Sequence, residues 1–153
     1  IFVALYDASQ GGVTVDLIIR GICCLRPGRP GISERVRVIS IIGRFLEHSR
    51  AFYFLNGGAE VVYIGSAAWM PRNLDRRIEA VAPIEDPAHR ATIRELLALL
   101  WRDNRQAWEL QADGSYVQRC PQGDAPEMGT HRLLIESSRE MVRLPTAEYN
   151  TVR

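Results

Sequence analysis

The stretch Gly11-Gly12-Val13-Thr14-Val15-Asp16-Leu17-Ile18-Ile19-Arg20-Gly21 decides the fold class. It begins by alternating apolar and polar residues and ends as a continuous apolar run, the pattern of a strand buried on both faces. The phrase before it, Ile1 to Ser9, reads as the last turns of a helix stopped by the two glycines. Helix, turn and strand form half of a βαβ unit. Arg20-Gly21 then falls at the carboxyl end of the strand, where open α/β sheets present ligand-binding groups.

Outward from that unit, Pro27-Gly28-Arg29-Pro30-Gly31 is a loop and Val36 to Ile42 a second strand, followed by a short helical turn from Gly43 to Glu47. Ala51-Phe52-Tyr53-Phe54-Leu55 and Glu60-Val61-Val62-Tyr63-Ile64 are β-rich runs joined by Asn56-Gly57-Gly58, a hairpin signature. With turn residues 56–57 or 57–58, the register puts His48 opposite Gly65 or Ala67, on either side of Ser66. A turn region from Trp69 to Asn73 precedes another strand, Ile78 to Ala82, ending at Pro83. Asp86-Pro87 is an N-cap with proline at the first helical position. Ile93, Leu96, Leu97, Leu100, Trp101 and Trp108 fall at helical spacing, which predicts a long amphipathic helix from Ala88 to Leu110. A short strand near Tyr116-Val117, a loop from Pro121 to Gly129 and a last helix from His131 to Val142 complete the chain, with 144–153 expected to be a flexible tail. The expectation is one α/β domain over 1–153, a mixed β-sheet flanked by helices.

The 153 residues include 19 basic and 18 acidic side chains, and every basic one is arginine. Without lysine there is no Walker A phosphate loop, no Schiff-base amine and no Ser-x-x-Lys acyl enzyme. Codon usage in a GC-rich genome accounts for the total, but not for its distribution. Residues 1–19 carry two acids and no base, residues 20–77 ten arginines against four acids, and residues 78–153 nine arginines against twelve acids. One region is therefore built to meet an anion. No apolar run approaches the ~20 residues of a membrane span. The start, Ile1-Phe2-Val3-Ala4-Leu5-Tyr6, lacks a methionine and a signal-peptide pattern, so the chain reads as a piece of something longer.

Other sites weigh less. Cys23, Cys24, Cys120 and His131 lack zinc-ligand spacing and read as small core thiols and a boundary histidine in a reducing cytosol. His89 reads as a surface residue, and Asn73-Leu74-Asp75-Arg76-Arg77 as a solvated charged face. Glu47-His48-Ser49-Arg50 differs, because the hairpin sets it beside a Gly-Ser turn within the arginine-rich third.

His48-x-Arg50, Gly65-Ser66, Asn73 and Arg77-x-Glu79 together resemble the second half-site of the phospholipase D superfamily, His-x-Lys, Gly-Ser, Asn and Glu, with Arg50 in place of the lysine. Val15 to Gly28, Gly43-Arg44-Phe45-Leu46-Glu47-His48-Ser49-Arg50 and Trp69-Met70-Pro71-Arg72-Asn73-Leu74-Asp75-Arg76-Arg77 resemble, more specifically, the last domain of type 1 polyphosphate kinases. The resemblance runs from about Ala4 to Leu110. One departure is Ala68, where that family usually carries aspartate.

The resemblance implies a phospholipase-D-like domain and reversible transfer of the ATP γ-phosphate onto inorganic polyphosphate through a phosphohistidine in a preceding domain, which also carries the ligands of Mg2+. It implies Arg20 and His48 as ATP-binding positions, His48 as the catalytic group of this domain, and Arg50, Ser66 and Asn73 as further phosphate-binding residues, with no metal ligand here. ATP, ADP, polyphosphate and the preceding domains are the implied partners, in a homo-oligomer without nucleic acid. The implied location is the cytosol, with the inner membrane face as a peripheral site. The chain alone is expected to be inactive. The alternative is a phosphate- or polyanion-binding module, or a phosphodiesterase relic, without kinase activity.

Overall fold

The computed structural model describes residues 1–143, so the expected tail at 144–153 lies outside the described residues. Helix α1 (Phe2–Gln10) leads through the glycine turn into β1 (Val15–Ile18), which runs parallel to β2 (Val36–Ile41), with Val15 beside Val36 and Ile18 beside Ile39. The double burial read for the first strand belongs instead to the second. β1 lies at the sheet edge and is only half-buried, whereas β2 is paired on both sides and buried at every position but Arg37. Arg37 closes a two-pronged ion pair on Asp16, its neighbour in register (2.6 and 2.7 Å).

Alternation along β2 sorts the core into two layers. Val36 and Val38 pack with Leu25 and Leu110 on one face, against Leu5 and Tyr6 of α1. Ile39 and Ile41 pack with Leu100 and Ala107 on the other, against Leu96, Leu97 and Trp101. Those last side chains belong to α3 (Pro87–Trp101), whose Asp86 cap accepts the amides of Ala88 and His89 as its sequence predicts.

The helix stops well short of Leu110. Asp103, 1% exposed, takes the N–H groups of Arg105, Gln106 and Ala107 on one oxygen, giving the backbone a non-helical set of partners. Trp108, which matches the helical spacing, therefore lies on β6 (Ala107–Leu110). This strand pairs antiparallel with β2 and with β7 (Tyr116–Gln118), making a four-stranded mixed sheet.

The hairpin does not join that sheet. β3 (Ala51–Phe54) and β4 (Val61–Gly65) pair antiparallel and, with β5 (Val81–Pro83), form a second, three-stranded sheet. Their register is the one that turn residues 57–58 dictate, Ala51 beside Ile64 and Tyr53 beside Val62, and it continues to Arg50, whose carbonyl accepts the Gly65 amide. The connection is longer than a two-residue turn and contains a 3₁₀ turn at Asn56–Gly58. α3 ties the hairpin to the core, Arg94 holding Glu60 at 2.9 Å and Arg90 its carbonyl at 2.8 Å.

Two short elements are exchanged relative to the sequence reading. Gly43 to Glu47 holds no helical turn, and Trp69 to Arg77 contains a helix, α2 (Pro71–Arg76), started by its proline. The last helix is α4 (Thr130–Arg143). Cys24 and Cys120 are exposed and Cys23 half-buried, because Leu25 occupies the core position that the cysteine pair was expected to fill. His89 is exposed, whereas His131 is buried, 3% exposed, at the start of α4.

Candidate functional site

The two parallel strands end together, and the segments leaving their carboxyl ends build the first half of the site. Arg20 lies just past β1. Its Nη1 donates to the Glu47 carbonyl at 3.0 Å, so a guanidinium at the carboxyl edge of the four-stranded sheet is tied to the peptide immediately before His48. The Gly21 amide donates to Ser40 Oγ on β2, fixing the loop from below. Glu47 shapes the next step. Its Oε1 accepts the amides of His48 and Ser49 at 2.9 and 2.8 Å. The Ser49 side chain and amide, with a smaller share from the His48 amide and the nearby His131, hold this carboxyl below the usual glutamate range against its partial burial. His48 and Arg20 are both exposed. Arg50 Nη1 lies 2.8 Å from His48 Nδ1 and 2.7 Å from the His48 carbonyl.

The second half sits on the three-stranded sheet and centres on Glu79, whose side chain is 11% exposed. Ser66 Oγ donates to one carboxylate oxygen and Asn73 Nδ2 to the other at 2.7 Å, with Arg77 Nε at 3.5 Å. The Ser66 and Asn73 donors, and then the charges of Arg77 and Arg50, keep this carboxyl low. Gly65 permits the arrangement. A Cβ there would stand 2.7 Å from the Ala80 carbonyl, the group that accepts the Ser66 amide.

Of the five expected positions, Arg20, His48 and Arg50 form one hydrogen-bonded run, while Ser66 and Asn73 form a second. The side-chain hydrogen bonds of Ser66 and Asn73 go to Glu79, and that of the His48 ring goes to Arg50. The place of Glu79 just before β5 sets its carboxylate beside the Ser66 end of β4 and gives it first claim on the hydrogens of Ser66 and Asn73. The two runs meet through charge, since Arg50 acts on Glu79. Glu79 was legible as the last letter of the half-site pattern but not as its hub. The β4–β5 register that would have shown it is hidden by α2.

The sequence reading also missed the support beneath the site. His131 Nδ1 accepts the Phe45 amide at 3.4 Å, and its ring tilts against the Phe45 ring with centroids 5.5 Å apart. Gly43 makes room for this, because a Cβ there would overlap His131 Nδ1 and the Gln106 amide. Gly43→Ala is therefore expected to cost about 1–3 kcal/mol, the usual penalty of overpacking, read as a lower denaturant midpoint with unchanged slope. Wild-type stability in that variant would mean the buried His131 ring moves aside freely.

Among the described residues, no group of three His, Cys, Asp or Glu side chains is placed to hold a metal ion. What the arrangement offers is a set of guanidinium and imidazole donors around one strand edge, suited to phosphate oxygens.

Comparison with known proteins agrees with that chemistry. The family described as polyphosphate kinase C-terminal domain 2 matches residues 1–128. Similar proteins include a polyphosphate kinase of Thermosynechococcus vestitus, 64% identical over 132 residues, and one of Rhodopirellula baltica, 47% identical over 154. These matches cover 86% and 98% of this chain and 18% of each relative, so the chain spans under a fifth of the length of the curated relatives it matches. The crystal structure of polyphosphate kinase from Porphyromonas gingivalis superposes with a TM-score of 0.84 at 38% identity, over 92% of this chain and 21% of that one.

Proposed function

This chain belongs to the polyphosphate kinase family as its C-terminal domain 2, and we propose that it supplies the nucleotide-holding side of a site for reversible transfer of the ATP γ-phosphate onto inorganic polyphosphate. The observation that carries this reading is the link from Arg20 through the Glu47 carbonyl to His48, at the carboxyl edge of parallel strands in the arginine-rich third. Phosphoryl transfer asks a protein chiefly for positioning and for neutralisation of charge on phosphate oxygens. Arg20 contributes a permanent planar charge and keeps donors beyond Nη1 for phosphate. His48 contributes a ring N–H, and the neighbouring Arg50 keeps the local field positive. Ser66 and Asn73, engaged by Glu79, then act as the rigid floor on which that edge is set.

In this reading the phosphohistidine and the Mg2+ ligands reside in the rest of the protein, which works in the cytosol as a homo-oligomer. Those points are supported by the family resemblance. The alternative of a polyanion-binding module without kinase activity is not favoured, because the high-identity relatives carry the name polyphosphate kinase.

Arg20 tests the proposal in the full-length enzyme. Arg20→Ala is expected to lower kcat/KM for ATP by about 10²–10³, and Arg20→Lys, which keeps the charge and loses the fork, to recover only a minor part of it. A melting temperature that falls while ATP kinetics stay intact would instead make Arg20 a structural tie for the 47–50 segment.

A further inference from the structure

We propose that Arg50 is a positioning residue that holds His48 as the neutral tautomer with its proton on Nε2, so that His48 donates a hydrogen bond to a phosphate oxygen and keeps its proton. Geometry dictates the tautomer. A guanidinium has five N–H donors and no acceptor, and it does not lose its charge in a protein. With Arg50 Nη1 at 2.8 Å from His48 Nδ1, the ring nitrogen must present its lone pair. The proton of the neutral ring is then on Nε2, for which no hydrogen-bond partner is found among the described residues. A proton on Nδ1 would place N–H against N–H beside a fixed positive charge.

The contact is also braced. The same Nη1 lies 2.7 Å from the His48 carbonyl, so the guanidinium spans ring and backbone of one residue and fixes how the ring is turned. The Glu79 carboxylate, held by Ser66 and Asn73, feels the Arg50 charge as well. Arg50 thus joins the two halves of the site. This is a role that a lysine, with a single rotatable ammonium, fills less rigidly. A histidine used this way stabilises charge that develops on a phosphate oxygen without proton transfer, and the leaving oxygen is neutralised by arginine.

The phosphate-donating part rests on the function proposed above, whereas the tautomer does not. Neutron diffraction from deuterium-exchanged crystals of the full-length protein, grown about two pH units above the ordinary histidine value of about 6.5, reads the protonated nitrogen directly. Deuterium is expected on Nε2 alone in the wild type and in Arg50→Lys, and on both nitrogens at partial occupancy in Arg50→Leu. Deuterium on Nδ1 in the wild type, or an unchanged pattern in Arg50→Leu, would overturn the proposal. In kinetics, Arg50→Leu is expected to lower kcat about tenfold, less than loss of a whole donor, with KM for ATP nearly unchanged. A raised KM with kcat retained would make Arg50 a direct phosphate ligand. A wild-type protein with the Nε2 proton in place but no polyphosphate synthesis would sink the functional reading alone.

Discussion

Replacing His48 with alanine in the full-length enzyme is expected to lower ATP-dependent polyphosphate synthesis by about 10²–10³ while moving the melting temperature little. The magnitude is that of removing one preorganised donor from a developing oxyanion. Position accounts for the small stability change: His48 is exposed, its amide is held by Glu47 whatever the side chain, and Arg50 keeps its bond to the carbonyl of residue 48 when the ring is gone. His48→Gln retains an N–H at the end of a side chain of similar reach, so it recovers nucleotide affinity better than turnover. The measurement is initial rate and KM for ATP, paired with a thermal melt of the same samples. Near-wild-type turnover in both variants would remove His48 from the chemistry.

Asp103→Ala is expected to lose about 3–5 kcal/mol of stability, since buried N–H groups left unpaired cost about 1–3 kcal/mol each. The carboxylate accepts four backbone amides, those of Arg105, Gln106 and Ala107 on Oδ1 and that of Thr130 on Oδ2 at 2.7 Å. It therefore joins the end of α3, the start of β6 and the start of α4. Burial works to raise its pKa, and the amide donors of Thr130, Gln106 and Arg105 outweigh that, so the group titrates below its usual value. A lowered folded-state pKa gives stability that is present above the unfolded value of about 3.9 and lost as pH falls through the folded one. Acid denaturation of the wild type should accordingly steepen below about pH 4, and Asp103→Asn, which keeps one acceptor oxygen, should flatten that limb while costing less at neutrality. Equilibrium denaturation between acid and neutral pH checks both; equal pH dependence in wild type and Asp103→Asn would assign the acid limb to other carboxylates.

How much of this was legible depended on whether a signal was local. The hairpin was, because Asn56-Gly57-Gly58 between two β-branched and aromatic runs limits the pairing to two registers, and the strands adopt one of them from Ala51–Ile64 to Phe54–Val61. Arg20 was as well, since a strand ending in Arg-Gly announces its own carboxyl end. The end of α3 was not. Trp108 stands seven residues after Trp101, a helical interval, and only the four amides gathered by Asp103 reveal that the chain has left the helix. The division into two sheets is a tertiary choice: β3 and β4 have ordinary strand sequences, and nothing in them says that their third partner is Val81–Pro83 rather than β2. Burial of His131 escaped for the same reason, because it depends on Gly43, far away along the chain, leaving a space of the right size.

The hairpin register carries a consequence for how this chain can change in length. Pairing is counted from the stem, so residues gained or lost in the tip between Leu55 and Glu60 leave Ala51 beside Ile64 and the amide of Gly65 on the Arg50 carbonyl. A single residue inserted between Arg50 and Phe54 does the opposite. It turns the residues on its N-terminal side to the other face of the sheet and carries His48 and Arg50 out of register with the Ser66–Glu79 pair. The loop at Asn56–Gly58 can therefore lengthen without disturbing the site, whereas a change of length between Glu47 and Phe54 displaces His48 and Arg50.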